Sequence, residues 1–180
     1  MRSKPTPSIP GSAERGFTLI ELLVTIAVLV IIITVGVPGF QNLTNQNRAA
    51  GTANELLTAL QAARSAAVTR SRDIEICASD TTGEDDPDDI SCSDSGDWST
   101  GWVVRDPGEG ETLRVRGPVR GGVAITGPDG PVTFTNAGVV EGFTSLSRDD
   151  FDVDVNSGRA ERCVDLGLGG RAEVLEGDCS

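Results

Sequence analysis

The chain contains four cysteines, which could form disulfide bonds or bind a metal ion. An even number of cysteines in an exported domain favours two disulfides, and four cysteines allow three pairings. Pairing neighbours in sequence closes two loops of about 16 residues, each worth ~3 kcal/mol through the lost entropy of the unfolded chain. We expect that pairing rather than a zinc site. No two of the cysteines have the C-x2-C spacing that is typical of zinc ligands. The cysteines are Cys77, Cys92, Cys163 and Cys179.

The chain contains no histidine, so it lacks the side chain that most often serves in catalysis. Histidine is the commonest general base and a frequent metal ligand, so Ser-His-Asp and Cys-His catalytic groups and imidazole-ligated metals are excluded. No other pairing of a nucleophile with a base can be named. We therefore predict a protein that is not an enzyme and that needs no cofactor and no metal ion.

The charge balance argues against nucleic acid as a partner. The chain has 27 Asp and Glu against 15 Lys and Arg, a formal charge of −12. Such a chain repels a phosphate backbone unless its few cations are gathered on one face. Residues 73–97 carry ten carboxylates and no base. Clustered carboxylates are candidate calcium ligands, but the spacing does not match an EF-hand loop, so we interpret the stretch as a solvated surface loop.

A run of 21 apolar residues with one charge, Phe17–Val37, follows a short polar N-terminus. At about 1.5 Å per residue, a helix of this length crosses the ~30 Å hydrocarbon core of a bilayer. An ordinary secretory signal is cleaved after its apolar region, whereas here the suitable small residue, Gly16, comes before it. The charge is Glu21, and a carboxylate in hydrocarbon is a functional candidate that needs a partner. Cleavage after Gly16 would create an α-amine at Phe17, one helical turn from Glu21.

The residues from Gly16 to Val24, Gly-Phe-Thr-Leu-Ile-Glu-Leu-Leu-Val, resemble the class III signal of type IV pilins and type II secretion pseudopilins. The resemblance implies that a prepilin peptidase cleaves between Gly16 and Phe17 and methylates the amine of Phe17, which keeps its charge. It also implies that Glu21 pairs with the terminal amine of an adjacent subunit and sets the register of subunits in a filament. The alternative is a plain single-pass anchor with a stray glutamate near its end.

Beyond the apolar run, the pattern predicts one long helix, from about residue 17 to about residue 69, followed by strands. Small and apolar residues recur at spacings of three and four, which is typical of an amphipathic helix packed on a core. From residue 73 onward apolar and charged residues alternate between Gly- and Pro-containing turns, as in half-buried antiparallel strands. The helical stripe is Ala53, Leu56, Leu57, Leu60, Ala63 and Ala67, and the alternating segments include residues 73–77, 113–116 and 151–155.

These patterns predict an α+β, pilin-like fold in which a long N-terminal transmembrane and amphipathic helix packs on a C-terminal antiparallel β-sheet domain. Residues 1–16 form a cleaved leader, 17–37 the transmembrane or filament-core helix, 38–72 the amphipathic half of the helix, and 73–180 a periplasmic β-rich domain. Cleavage removes three cations and one acid, so the charge falls from −12 to −14 in the mature chain. The mature chain keeps twelve arginines and no lysine.

Motifs of the downstream domain resemble those of the GspH/FimT family of minor pilins and H-type pseudopilins. Some FimT-type proteins bind incoming DNA through Gly-Arg-x-Arg near the C-terminus. Here Glu173 replaces the second arginine, which leaves Arg171 as the candidate DNA contact in a region, residues 156–180, of net charge −2. That charge is poorly suited to binding phosphates by counterion release. The motifs are the acidic loop between Cys77 and Cys92, residues 98–106 (Trp-Ser-Thr-Gly-Trp-Val-Val-Arg-Asp), residues 132–138 (Val-Thr-Phe-Thr-Asn-Ala-Gly), and Gly170-Arg171.

The resemblance implies a non-catalytic minor pilin or pseudopilin that primes or caps a type IV pilus or a type II secretion pseudopilus. A FimT/FimU-like pilus protein is slightly preferred. The alternatives are an H-type pseudopilin of type II secretion and, from a different class, a DNA receptor for natural transformation. The expected partners are other minor pilins or pseudopilins, the major subunit, the prepilin peptidase and inner-membrane lipid, without nucleic acid. The expected location is the inner membrane, single-pass with the C-terminal domain in the periplasm, and later the pilus or pseudopilus.

Overall fold

The computed structural model describes residues 16–86, 89–141, 150–156, 158 and 160–179. Of the predicted leader, residues 1–15 lie outside this part of the chain. The chain divides into two compact units, Met1–Gly39 and Phe40–Ser180. Helix α1 (Leu19–Arg70) contributes residues to both units, and nine strands follow it in the described part of the second unit.

Helix α1 has 52 residues and confirms the predicted long helix. Its first turn is capped by Thr18, whose hydroxyl oxygen accepts a hydrogen bond from the backbone N–H of Glu21 at 3.3 Å. Its last turn closes through Ser71, which adopts a left-handed conformation with φ of 53°. The backbone N–H of Arg72 then donates to the carbonyl of Ala67 at 3.2 Å, as in a Schellman ending.

The face of α1 that is buried in the second unit is built mainly from alanine. Its members follow one another at alternating spacings of four and three, so they lie along one side of the helix. The predicted stripe is confirmed, with Leu57 half-buried at its margin. The buried residues are Ala49, Ala53, Leu56, Leu60, Ala63 and Ala67.

The strands form two antiparallel sheets, where the sequence pattern predicted a single one. The first sheet has the order β3-β2-β1-β5-β6 and the second β4-β7-β8-β9. The period of two shows which face of a strand is buried, but it does not show which strand lies beside it. The strands are β1 Ile74–Ala78, β2 Trp102–Asp106, β3 Glu111–Arg116, β4 Val123–Thr126, β5 Val132–Phe134, β6 Val140–Glu141, β7 Phe151–Val155, β8 Ala160–Leu166 and β9 Ala172–Glu176.

The hydrophobic core of the second unit joins α1 to both sheets. Trp98, in a 3₁₀ helix ahead of β2, is fully buried and meets the ring of Phe151 edge to face, with centroids 4.8 Å apart. The indole N–H of Trp98 donates to the carbonyl of Pro128 at 3.0 Å, which satisfies its one polar group. Trp102 is buried as well. Both tryptophans are therefore core anchors.

Two disulfides join cysteines that are neighbours in sequence. Cys77 of β1 bonds to Cys92, and Cys163 of β8 bonds to Cys179. This is the local pairing expected from the sequence. The first disulfide packs with Val103 in a small separate apolar cluster. All four sulfur atoms are bonded to one another in pairs, so none is a thiolate that could hold zinc.

Replacing Ala63 with leucine should lower the free energy of unfolding by about 1–3 kcal/mol, because the extra carbons would enter a filled core. The measurement is urea denaturation of the detergent-solubilised chain, followed by tryptophan fluorescence, which reports only on the second unit. Ser65→Leu, two residues away on the exposed side of α1, is the control and should change the value by less than about 0.5 kcal/mol. Equal losses for the two variants would contradict the assignment of the buried face.

Candidate functional site

The apolar segment, residues 17–37, exposes its hydrophobic side chains. Phe17 is 84% exposed, and Val37, the least exposed large apolar side chain described there, is still 47% exposed. Within the described part of the chain, α1 is the one helix long and apolar enough to cross a membrane, and its mean hydropathy reaches 2.9 in this half. Such a surface is unfavourable in water, so lipid or the apolar helices of neighbouring molecules must cover it.

The hydroxyl groups of the apolar segment are satisfied within the helix. The hydroxyl of Thr25 donates to the carbonyl of Leu22 at 2.8 Å, and that of Thr34 donates to the carbonyl of Ile31 at 2.9 Å. Polar groups bonded in this way can be placed in hydrocarbon at low cost. Glu21 therefore stands out as the group of the segment that still needs a partner.

Glu21 lies in the first turn of α1, where the positive end of the helix dipole favours a carboxylate. Its side chain is exposed, and no salt bridge between described residues involves it. Gly16 and Phe17 precede the helix in non-helical, exposed backbone. The geometry thus leaves the carboxylate available to a cation from another molecule and the 16–17 peptide bond outside regular structure.

A buried acid at the end of β2, Asp106, was not singled out by the sequence. Its Oδ1 accepts hydrogen bonds from the backbone N–H groups of Gly108 at 3.0 Å and Glu109 at 3.2 Å. Its Oδ2 lies 3.9 Å from Nη1 of Arg70 and 4.0 Å from Nη1 of Arg72. Asp106 therefore holds the β2–β3 hairpin to the end of α1. The Asp-Pro-Gly turn was predictable, but its arginine partners lie more than thirty residues earlier in the sequence.

Two exposed acids, Glu109 and Glu111, also pair with the arginines that face Asp106. Arg70 donates a hydrogen bond to Glu111, and Arg72 pairs with Glu109. The hydrogen bond to Glu111 raises the pKa of Arg70, and the negative charges of Glu111, Asp106 and Glu109 raise it further, against a smaller opposing effect of desolvation. Arg70 accordingly stays charged at every physiological pH. Strand β3 is thereby fixed beside the last turns of α1.

The Gly-Arg pair near the C-terminus has a structural explanation. Gly170 has a φ of 70°, and a Cβ at this position would collide with the carbonyl oxygen of Gly138. The same oxygen accepts a hydrogen bond from Nε of Arg64 at 2.9 Å. Arg171 is exposed, and its Nη2 donates to the carboxylate of Glu173 at 3.0 Å. The acid that replaces the second arginine of the motif therefore neutralises the first one.

Carboxylates do not assemble a cation site in the part of the chain that the structure describes. The one group of three potential ligands there is Asp150, Cys163 and Cys179, and its two sulfur atoms are joined as a disulfide. In the acidic stretch, Glu84, Asp85, Asp86 and Asp89 are exposed, and residues 87 and 88 lie outside the described residues. The described acids named here are therefore solvated.

Gly170→Ala should lower the free energy of unfolding by about 2 kcal/mol or more, because the new methyl group meets a backbone oxygen at a left-handed residue. Arg171→Ala, at the adjacent residue, removes one exposed ion pair. It should change the free energy of unfolding by less than about 1 kcal/mol. Urea denaturation of the two variants measures the difference. A larger loss for Arg171→Ala would show that the arginine, and not the glycine, has the structural role.

Comparison with protein families identifies two regions of the chain. Residues 52–170 match the family described as type II transport protein GspH. Residues 11–37 match the prokaryotic N-terminal methylation motif, which includes Gly16, Phe17 and Glu21. No curated protein sequence matches the chain.

Solved structures resemble the fold as well. A crystal structure of the type IV minor pilin FimU of Pseudomonas aeruginosa (strain PAO1) has 24% sequence identity and a TM-score of 0.55, covering 74% of this chain and 92% of FimU. A second crystal form has 23% identity and a TM-score of 0.50, covering 70% of this chain and 91% of FimU. At this identity the likeness concerns the fold, a long N-terminal helix with antiparallel sheets.

Proposed function

Since the chain belongs to the family of type II transport protein GspH, whose minor pilins and pseudopilins are structural rather than catalytic subunits, we propose that it primes or caps assembly of a filament. The observation that carries the proposal is a single carboxylate, Glu21, which has no salt-bridge partner among the described residues and lies in an exposed apolar helix at a methylation motif. An apolar helix alone would serve as an anchor. A carboxylate at a fixed position in that helix requires a cation at the same depth, and this requirement selects a specific partner.

In the proposed pathway, the prepilin peptidase cleaves between Gly16 and Phe17 and methylates the new amine, which remains a cation. The Glu21 carboxylate of one subunit then pairs with the Phe17 amine of the adjacent subunit. Removing one partner of a buried ion pair is costly because it leaves an uncompensated charge, and such pairs are well suited to fixing register. The match of residues 11–37 to the methylation motif supports this assignment.

The proposed location before assembly is the inner membrane, with residues 17–37 spanning the bilayer once and the β-rich domain, 73–180, in the periplasm. Residues 38–72, which include the end of α1 at Arg70, form the proposed amphipathic segment between the apolar segment and this domain. Two disulfides support an oxidising compartment for it. The proposed partners are the peptidase, inner-membrane lipid, other minor pilins or pseudopilins and the major subunit.

We expect Glu21→Ala to be cleaved and retained in the membrane but lost from the filament fraction by at least roughly tenfold, because an unpaired terminal amine would be buried. N-terminal sequencing of membrane-extracted protein should give Phe17 as the first residue, and immunoblotting of sheared filaments measures incorporation. Glu141→Ala, at an exposed acid on β6, is the matched control. A membrane form that still begins at Met1 in a host with active peptidase would refute the cleavage, and normal incorporation of Glu21→Ala would refute the pairing.

We prefer a type IV pilus to a type II secretion pseudopilus as the assembly that contains this subunit. Two disulfides and the Trp98–Trp102 stretch favour a FimT/FimU-like pilus protein over an H-type pseudopilin of type II secretion. Deletion of the gene should therefore abolish twitching motility and leave exoprotein secretion intact. Loss of secretion with normal twitching would assign the chain to the type II secretion pseudopilus instead.

A further inference from the structure

Ten arginines of the second unit are described, and a small group of them has no carboxylate partner. Arg64 donates to the carbonyl of Gly138, and six others form salt bridges. The three that remain, Arg48, Arg114 and Arg120, are exposed, and none of them pairs with an acid in the described part of the chain. The six paired arginines are Arg70, Arg72, Arg105, Arg116, Arg162 and Arg171.

A groove, which we call the arginine groove, runs between residues 52–69 of α1 and residues 111–120 of β3 and its following loop. A cleft of about 330 Å³ contains Arg114 and Arg116. It shares Arg116 with a cleft of about 420 Å³ that reaches Arg120. It shares Arg114 with a third cleft, of about 410 Å³, that continues toward the end of α1. The groove therefore follows the whole length of β3.

The acids that line the arginine groove are already neutralised. Oε2 of Glu55 accepts hydrogen bonds from Nε and Nη2 of Arg116 at 3.0 and 2.8 Å. Glu111 accepts a hydrogen bond from Arg70. Among the described residues that line the three clefts, these are the only two acids. The groove thus holds no carboxylate that could compensate a further cation.

Three uncompensated cations remain at the groove. Arg114 lies between two of the clefts, and Arg120 lines the third. Arg48 lies beyond Arg120, where its Nη1 donates to the carbonyl of Gly121 at 3.2 Å. In a chain with a formal charge of −12, such cations form a local positive field that selects an anionic partner. A guanidinium matches a carboxylate with two parallel hydrogen bonds, so acidic side chains suit these positions.

The arginine groove also offers an open strand edge. Strand β3 is an edge of the first sheet, and among the described strands only β2 pairs with it. Such an edge can hydrogen-bond an extended segment, whose alternate side chains then lie on the same side. The opposite wall, from α1, has small side chains such as Ala59, Ala62 and Ser65, which leave room for a main chain. A duplex nucleic acid could use the charges but not the strand edge.

We propose that the arginine groove is the docking site for an extended acidic segment of a different subunit of the filament, which adds to β3 as a further strand. Its carboxylates would then pair with Arg114 and Arg120. The inference rests on the proposed filament role and deepens it, since it names the surface and the chemistry by which the subunit recognises a neighbour. A subunit that primes or caps a filament must contact other kinds of subunit. An acidic segment is repelled by the rest of this negative chain, so the groove is where it can bind.

The first test uses a fluorescently labelled decapeptide of alternating glutamate and threonine. Fluorescence anisotropy measures its dissociation constant for the full-length chain in micelles of an uncharged detergent. We expect binding that weakens as salt is added. A peptide of alternating lysine and threonine should not bind. The glutamate peptide with alternate backbone nitrogens methylated keeps its charges but loses N–H donors, and it should bind at least roughly tenfold more weakly.

Substitutions locate the binding site on the chain. Arg114→Glu or Arg120→Glu should weaken binding of the glutamate peptide by at least roughly tenfold, because like charges then face each other. Arg171→Glu makes the same change of charge at an exposed residue outside the groove, and it should alter binding by less than about twofold. No binding, or equal losses for Arg114→Glu and Arg171→Glu, would overturn the proposal. Undiminished binding of the methylated peptide, or a duplex DNA mobility shift that is lost on Arg114→Glu, would overturn it as well.

The neighbour in the cell can be identified because Lys4 is the only lysine of the chain. Arg114→Lys keeps the charge of the groove and adds one primary amine, which a zero-length carbodiimide joins to a carboxylate in contact with it. Host membranes that contain the variant are cross-linked and analysed by mass spectrometry. We expect a link to an acidic stretch of another pilin or pseudopilin, and none from Leu168→Lys, at an exposed position outside the groove. Links only to a second copy of this chain, or no link from residue 114, would contradict the proposal.

Failure of this proposal can be distinguished from failure of the filament role. Substitutions in the groove leave the 16–17 cleavage site and Glu21 unchanged, so N-terminal sequencing should still give Phe17. Normal cleavage and filament incorporation of the native chain, without binding of the glutamate peptide, would reject the groove alone. Loss of cleavage in the native chain would reject the filament role itself.

Discussion

The alanine-rich buried face of α1 is the packing constraint on which the second unit depends. Because the buried face of the helix is mainly alanine, there is little side-chain volume to separate its backbone from the two sheets. The arginines that leave this face can then reach backbone carbonyls of the turns, as Arg64 reaches Gly138 and Arg48 reaches Gly121. A larger residue on the face would displace the helix and break these contacts together.

Charge is organised differently in the two units. In the first, Glu21 is the one charged side chain of the apolar segment, residues 17–37, and a lone charge in a low dielectric has few acceptable partners. In the second, charges are abundant, and most salt bridges between described residues involve at least one exposed side chain, so each contributes little by itself. The match of residues 11–37 to the N-terminal methylation motif includes Glu21 of the first arrangement.

The sequence predicted the long helix, its buried stripe, the local disulfides and the antiparallel strands, because each leaves a periodic or local pattern. It did not predict the division into two sheets, since the partner of a strand such as β4 lies about thirty residues away in β7. It also missed the buried role of Asp106, whose partners come from the end of α1. Gly170 was singled out by resemblance, but its structural reason, the carbonyl of Gly138, required coordinates. The apolar part of the long helix was predicted as well, because its composition can be read from the sequence alone.

The disulfide between Cys77 and Cys92 has a mechanical consequence for a filament subunit. A pilus or pseudopilus transmits load, and tension that passes along the chain from α1 through β1 to β2 takes the shortest covalent path. That path crosses the S–S bond and bypasses residues 78–91. At about 3.4 Å of extended length per residue, residues 78–91 would add roughly 50 Å to the stretched chain if the disulfide were absent. The acidic loop can therefore keep its shape while the strands on either side of it are pulled.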